Sequence, residues 1–224
     1  MANCLSEQQR DLVRTKVLCT AALLFVEKGY SATTTRELAA RSGIQVSAMN
    51  RAFGSKEHIL SELMRYVMED HFSVTQKVLA GKTTDPVLHY ALEAALQLYM
   101  SEHSEAIRDL YCNAYSLSET REVVLRAVTA NVIAPTFAQY LPDYTPDDFY
   151  QLEIASGSIM KGYMSVKCDT NFTVGQKAAR FLEAALRIYR VPPEQIREAA
   201  EFVNQFDLEA IARDAIGDMM NFLR

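Results

Sequence analysis

The sequence predicts an all-α fold in two parts, a short N-terminal bundle and a larger helical body. Three observations carry this. Glycine and proline are scarce, at 8 and 6 of 224 residues, while helix-forming residues are frequent. Helix start and stop signals recur along the chain, and no alternating apolar–polar run of strand length occurs. Apolar residues make up 49%, enough for a sizeable core and inconsistent with global disorder.

The elements follow in order. Val13, Val17, Ala21, Leu24 and Phe25 recur at helical spacing over 8–28, and Gly29 stands where a left-handed cap belongs. Thr34 with Glu37 forms a capping box that starts a short helix near Thr35, and Ser42-Gly43 ends it. A second short helix runs from about Gln45 to Phe53. Gly54-Ser55 breaks it, and Ser55 caps a long helix from Lys56 to about Leu79. Further helices open at Asp85-Pro86, Thr145-Pro146, Thr173 with Gln176, Pro192-Pro193-Glu194 and Asp207-Leu208. Pro135, inside an otherwise helical run, predicts a kink. About ten or eleven helices and no sheet are expected.

Residues 33–56 are the most informative stretch. Two helices crossing near a right angle need a small residue at their contact and a turn residue that accepts positive φ. Ala39 and Gly43 supply these. Leu38, Ile44, Met49 and Phe53 are spaced to close a miniature core. That turns Gln45, Val46, Ser47, Asn50 and Arg51 outward together. Asn and Gln can pair bidentately with adenine, and Arg with guanine or phosphate. Lys56 opposes the macrodipole of the helix it starts, which a bound phosphate would explain.

Charge is divided in the same way. The net charge is −5, against a general nucleic-acid binder, but residues 1–57 hold eight Lys/Arg against five Asp/Glu, and 58–224 hold fifteen against twenty-three. The four cysteines form no C-x-x-C pair or zinc spacing and read as free thiols. No basic-then-apolar leader and no membrane-length apolar run occurs, so a soluble, cytoplasmic chain without membrane contact is expected.

On KVLCTAALLFVEKGYSATTTRELAARSGI and FGSKEHIL, residues 16–60 resemble the DNA-binding domain of the tetracycline-repressor (TetR) family of bacterial regulators. The resemblance covers about a fifth of the chain. It implies a helix-turn-helix DNA-binding domain over 1–57 and a helical effector-binding and dimerisation domain over 58–224. It also implies a homodimer bound to a palindromic operator in double-stranded DNA and, as a repressor, released by a small-molecule effector. Thr34, Arg36 and Lys56 would hold the backbone, and Gln45, Val46, Ser47, Asn50 and Arg51 would read the major groove. The chain departs where the family usually has Tyr (here Asn50), Tyr or His (here Ala52) and a Ser or Thr cap (here Gln45).

The body holds no matched catalytic set, no G-x-S-x-G, P-loop or dinucleotide fingerprint, and only scattered histidines. No enzyme activity, cofactor or metal is expected. Asp85, His89 and Glu93 stand at a helical spacing that could bind a metal, but read more simply as an exposed polar helix face. Met68, Tyr99, Tyr111, Tyr115, Phe137, Met160 and Met164 are candidates for an effector pocket, because Met is adaptable and Tyr polar-tipped; core packing accounts for the same residues. Ala155, Ser158 and Gly162 on one helix, and Ala178, Leu182, Ala185 and Tyr189 on the next, are candidates for a four-helix dimer interface. The rival reading is a helical ligand- or protein-binding dimer whose head no longer reads DNA.

Overall fold

The computed structural model describes the backbone of residues 7–223 and the side chains of 11–66 and 74–221. Among these residues there are twelve α-helices, one π-helical turn and no strand. The head comprises α1 (Glu7–Lys28), α2 (Thr35–Ser42) and α3 (Val46–Phe53), and α4 (Lys56–Leu79) leads out of it. The body continues with α5 (Pro86–Glu102), α6 (Glu105–Ala114), α7 (Ser118–Val128), the π-turn (Thr129–Ile133) and α8 (Ala134–Phe137). It ends with α9 (Pro146–Ser165), α10 (Val174–Ile188), α11 (Pro193–Val203) and α12 (Leu208–Leu223).

Caps set these boundaries. Thr34 accepts the Glu37 N–H, Ser55 that of His58, and Asp85 those of Val87 and Leu88. Thr145 with Asp148, and Thr173 with Gln176, form reciprocal capping boxes. The box expected at Thr34 is only half made, because the Glu37 carboxylate pairs with Lys28 instead. Gly43 adopts φ 65°, and its N–H and that of Ile44 return to the Ala40 and Ala39 carbonyls at 3.1 and 3.0 Å. This closure requires left-handed backbone, which glycine adopts without strain. Leu38, Ala39, Met49 and Phe53 are buried behind it.

α5 is the axis of the body. It packs on α4, α6, α8, α9, α10, α11 and α12, so it is apolar nearly all round rather than striped. Phe137 stacks on Tyr189 with centroids 4.1 Å apart and meets Tyr90 in a T-shaped pair at 5.1 Å. Burying each such ring contributes ~2–3 kcal/mol. At Gly157 of α9 a Cβ would lie 2.9 Å from Leu125 Cδ2 of α7, so this glycine permits the close approach of the two helices. Pro135 produces a π-turn, not only a bend. The Ala134 N–H reaches back five residues to the Thr129 carbonyl, and Pro135 carries no N–H to continue the α pattern.

One expected interface is corrected here. Ala178, Leu182, Ala185 and Tyr189 are at most 3% exposed, all within their own subunit's core. The α10 stripe packs on α5 and α9 rather than facing outward. Ala155, Ser158 and Gly162 are exposed on α9, beside Ile154 at 42% and Val166 at 53% exposure.

Candidate nucleic-acid interface and the cleft in the body

The outward edge of α3 is built by its buried edge. Met49 and Phe53 are anchored in the head, and Gln45, Val46, Ser47, Asn50 and Arg51 are all exposed on the other side. Gln45 precedes the helix in extended conformation and makes no side-chain cap bond, so the first turn of α3 has no side-chain acceptor from its own cap residue. Thr34 and Arg36 are exposed at the start of α2. The other head cations are largely used internally. Arg14 donates to the Ala52 carbonyl at 2.8 Å, pairs with Glu62 and lies over Phe53; Lys28 pairs with Glu37, and Arg41 with Glu27.

Lys56 departs from the phosphate clasp that the sequence suggested. Its ammonium donates to the Tyr30 and Thr33 carbonyls, both at 2.8 Å, and sits 3.9 Å from the centroid of the Tyr30 ring. Burial pushes its pKa down, with Asp109 opposing and Lys28 assisting. A first-turn lysine can thus be explained by the loop that it closes. Lys56→Met is expected to lower head stability by about 1–2 kcal/mol in denaturant titration, a figure reduced for partial exposure. The salt dependence of DNA binding should keep its slope. A slope shallower by about one unit at unchanged stability would return the ammonium to a phosphate.

Beside the packing of α1 on α6 and α12, polar contacts among the described residues tie the head to the body in two regions. Asp109 of α6 accepts the Ser31 N–H and hydroxyl at 2.7 and 2.6 Å. Glu57 in the first turn of α4 accepts the Glu119 N–H at the start of α7 at 2.9 Å, and His58 lies between Glu62 and Glu119.

α4, α5, α7 and the π-turn enclose a cleft of about 870 Å³, lined by Arg65, Thr75, Gln76, Thr84, Pro86, His89, Tyr90, Glu93, Val123, Ala127, Asn131, Val132, Pro135 and Thr136. Tyr90, Glu93 and Val132 also line a chamber of about 30 Å³ behind it, with Gln97, Tyr115, Glu153, Ser156 and Met160 among its walls. Tyr115 and Met160 therefore reach the chamber. Tyr111 lines a separate apolar void of about 50 Å³ between head and body, with Phe25, Met64 and Met100. Tyr99, Phe137 and Met164 line none of these spaces: Phe137 and Met164 fill the core, and Tyr99 lies toward Gly175, Asp207 and Glu209. The side chain of Met68 lies outside the described residues.

Asp85, His89 and Glu93 do not share the expected exposed face. Asp85 caps α5, His89 Nε2 lies 3.3 Å from the Thr83 carbonyl oxygen, and Glu93 is buried. No group of three or more metal-ligating side chains occurs among the described residues. Glu153 was not singled out by the sequence, and Glu93 was read there as exposed. Their burial arises from the packing of α5 on α4 and α9, which local spacing does not reveal.

Burial pushes both carboxyls up to about 7 from the ordinary 4.5, with bonds from Thr75 and Gln97 at Glu93 and from Tyr189 at Glu153 opposing it. The folded state therefore keeps protons that the unfolded chain has lost. The contribution of these two groups to stability is therefore full below pH 4.5, falls as pH rises toward about 7, and levels off beyond. In Glu153→Gln this decline in the urea midpoint should shrink by about half; a profile identical to that of the native chain would contradict the assignment.

A profile of bacterial regulatory proteins of the tetR family matches residues 17–63, which cover α2, α3 and the flanking parts of α1 and α4. The head is a TetR-family domain. Its TetR character extends to a relative: the chain is 37% identical over 68 residues to the HTH-type transcriptional repressor KstR2 of Rhodococcus jostii (strain RHA1). That match covers 30% of this chain and about a third (33%) of the relative. The whole fold resembles solved structures at low identity. RolR in complex with resorcinol gives a TM-score of 0.66 at 16% identity, over 88% of this chain and 96% of that one. A TetR-family transcriptional regulator from Pectobacterium atrosepticum gives 0.54 at 15% identity, over 82% and 94%. The TetR-family head therefore sits on a helical body whose fold these structures share. No described helix is long and apolar enough to cross a membrane.

Proposed function

We propose that the chain is a cytoplasmic transcriptional regulator, a repressor that binds a palindromic operator as a homodimer and is released by a small molecule. The observation that carries this is the composition of the outward edge of α3. Gln45, Ser47, Asn50 and Arg51 are exposed together on a helix whose opposite side is fixed by Met49 and Phe53. Amide and guanidinium groups held this way can read base edges, with Thr34 and Arg36 on the backbone. One eight-residue helix reaches few bases, so two heads about 34–36 Å apart are needed. The exposed α9 face, with Ile154, Ala155, Ser158, Gly162 and Val166, supports pairing there, alongside the outer side of α10.

The cleft supports the effector role, as does the fold shared with RolR, which was solved with resorcinol. α4 begins in the head at Lys56 and lines the cleft with Arg65, Thr75 and Gln76. α7 begins against Glu57 and lines it with Val123 and Ala127. An occupant that prefers one spacing of α4 and α7 shifts the heads; one that binds both spacings equally shifts nothing.

Fluorescence anisotropy with duplex DNA from upstream of the chain's own coding sequence tests this. Tight, salt-sensitive binding of two chains per site is expected. Binding no tighter than to random duplex favours the rival, a dimer without DNA recognition. Ala127→Trp, which fills the cleft from α7, should change operator affinity by about fivefold or more. An unmoved affinity would uncouple the cleft from the head.

A further inference from the structure

We propose that His58 is a proton-operated latch between head and body: charged, it clamps the first turn of α4 to the first turn of α7 through Glu119, and uncharged it lets them part. The latch goes beyond the reading of the chain as a regulator; only its use in operator release rests on that reading.

The ring bridges two acids from different helices. Its Nδ1 lies 2.5 Å from Glu119 Oε1 of α7, and its Nε2 lies 3.0 Å from Glu62 Oε1 of α4. Ionised carboxylates only accept hydrogen bonds, and a neutral imidazole has one N–H and one lone pair. A neutral ring would therefore turn its lone pair on one of the two oxygens, whereas the imidazolium donates to both. Glu62 also pairs with Arg14 of α1, which holds the Ala52 carbonyl near the end of α3. A chain of polar contacts thus runs from α3 to α7, the helix that lines the cleft with Val123 and Ala127.

The charged groups about His58 are Arg14 from α1, Glu57 and Glu62 on α4, and Glu119 from α7. The other elements packed on α4 turn theirs elsewhere. On α6, Asp109 holds Ser31 and Arg108 holds Glu102. On α5, His89, Glu93 and Glu102 meet Thr83, Thr75 and Lys177. Arg121, Glu122 and Arg126 of α7 gather around Tyr150, and Arg51 of α3 is exposed.

Loss of the proton removes the positive charge between Glu62 and Glu119. The two carboxylates then repel across a ring that can donate to only one of them. His58, Glu62 and Glu119 have side chains 41%, 16% and 44% exposed, so solvent screening keeps the effect to a few-fold.

The contact carries its own reporter. The Glu119 N–H lies in the first turn of α7, where the helix offers it no acceptor, and it donates to Glu57 Oε1 at 2.9 Å. Amide exchange of the full chain, followed by NMR at about pH 5.5 and about pH 8 and corrected for the intrinsic rate, tests the latch across the interval in which histidine changes charge. The Glu119 amide should be at least about threefold better protected at the lower pH. This difference should vanish in His58→Gln and in Glu119→Gln. The Ser31 amide, held by Asp109 at the other head–body contact, should keep one level of protection throughout. Equal protection of the Glu119 amide at both pH values in the native chain, a difference kept by His58→Gln, or a parallel change at Ser31 overturns the proposal. No DNA enters the measurement, so an overturned latch leaves the operator reading intact.

Discussion

Glu102→Ala is expected to destabilise the fold by about 3–5 kcal/mol, measured by urea unfolding near neutral pH. Lys177 has a side chain that is 0% exposed, and its ammonium donates to Glu102 and to the Val166 carbonyl. The same carboxylate accepts from Arg108 at 2.6 Å and from the Cys168 N–H at 3.3 Å. One group at the end of α5 thus ties α6, α10 and the segment after α9. Truncation leaves a buried ammonium with a carbonyl alone, in a medium where an uncompensated charge costs several kcal/mol. The paired change Glu102→Leu with Lys177→Met should recover most of the loss, because it removes the charge together with its partner. A loss below about 1 kcal/mol for Glu102→Ala would contradict the assignment. Burial pushes the Glu102 carboxyl up, but the bonds and charges of Lys177, Cys168 and Arg108 outweigh it and hold the pKa below the ordinary range. Its contribution is therefore present above the unfolded carboxyl range and is lost as pH falls through the lowered value.

The second large effect concerns DNA. Arg51→Ala and Asn50→Ala should each weaken operator binding by about 2–6 kcal/mol per dimer, since one base contact of about 1–3 kcal/mol is lost in each half-site. Both side chains are exposed, so stability should stay within about 0.5 kcal/mol. Asn50→Ala should leave binding to random duplex unchanged, because an amide reads bases and carries no charge. Arg51→Ala separates two roles. Loss confined to the operator makes it a base reader, and equal loss on random duplex makes it a phosphate contact. Unchanged operator binding by both variants would remove α3 from the interface.

What the sequence made legible was local. Thr145, Thr173, Asp85 and Ser55 announce helices because a cap acts within one turn. Gly43 announces the turn because few other residues accept its backbone. The outward edge of α3 followed from the residues that must face inward. What failed was long-range. A stripe such as Ala178, Leu182, Ala185 and Tyr189 has the same spacing whether it meets its own core or a partner, and only the position of α5 decides. Gly157 meets α7 although no local signal marks it, whereas a Cβ at Gly162 would meet nothing within the subunit. Lys56 looked displaced because its carbonyl partners are 23 and 26 residues away. Short α6 and α8 raise the helix number above that expected, and Pro135 signalled an irregularity without revealing its π form.

The central claim is that the exposed edge of α3, presented twice by a dimer, reads duplex DNA. Selection from a random duplex pool with the native chain and with Asn50→Ala/Arg51→Ala tests it most directly. The account predicts an enriched palindrome with half-sites centred about one helical turn apart, roughly 10 base pairs or a multiple, and no such enrichment by the variant. Recovery of no common sequence by the native chain, or of the same palindrome by the variant, would contradict it.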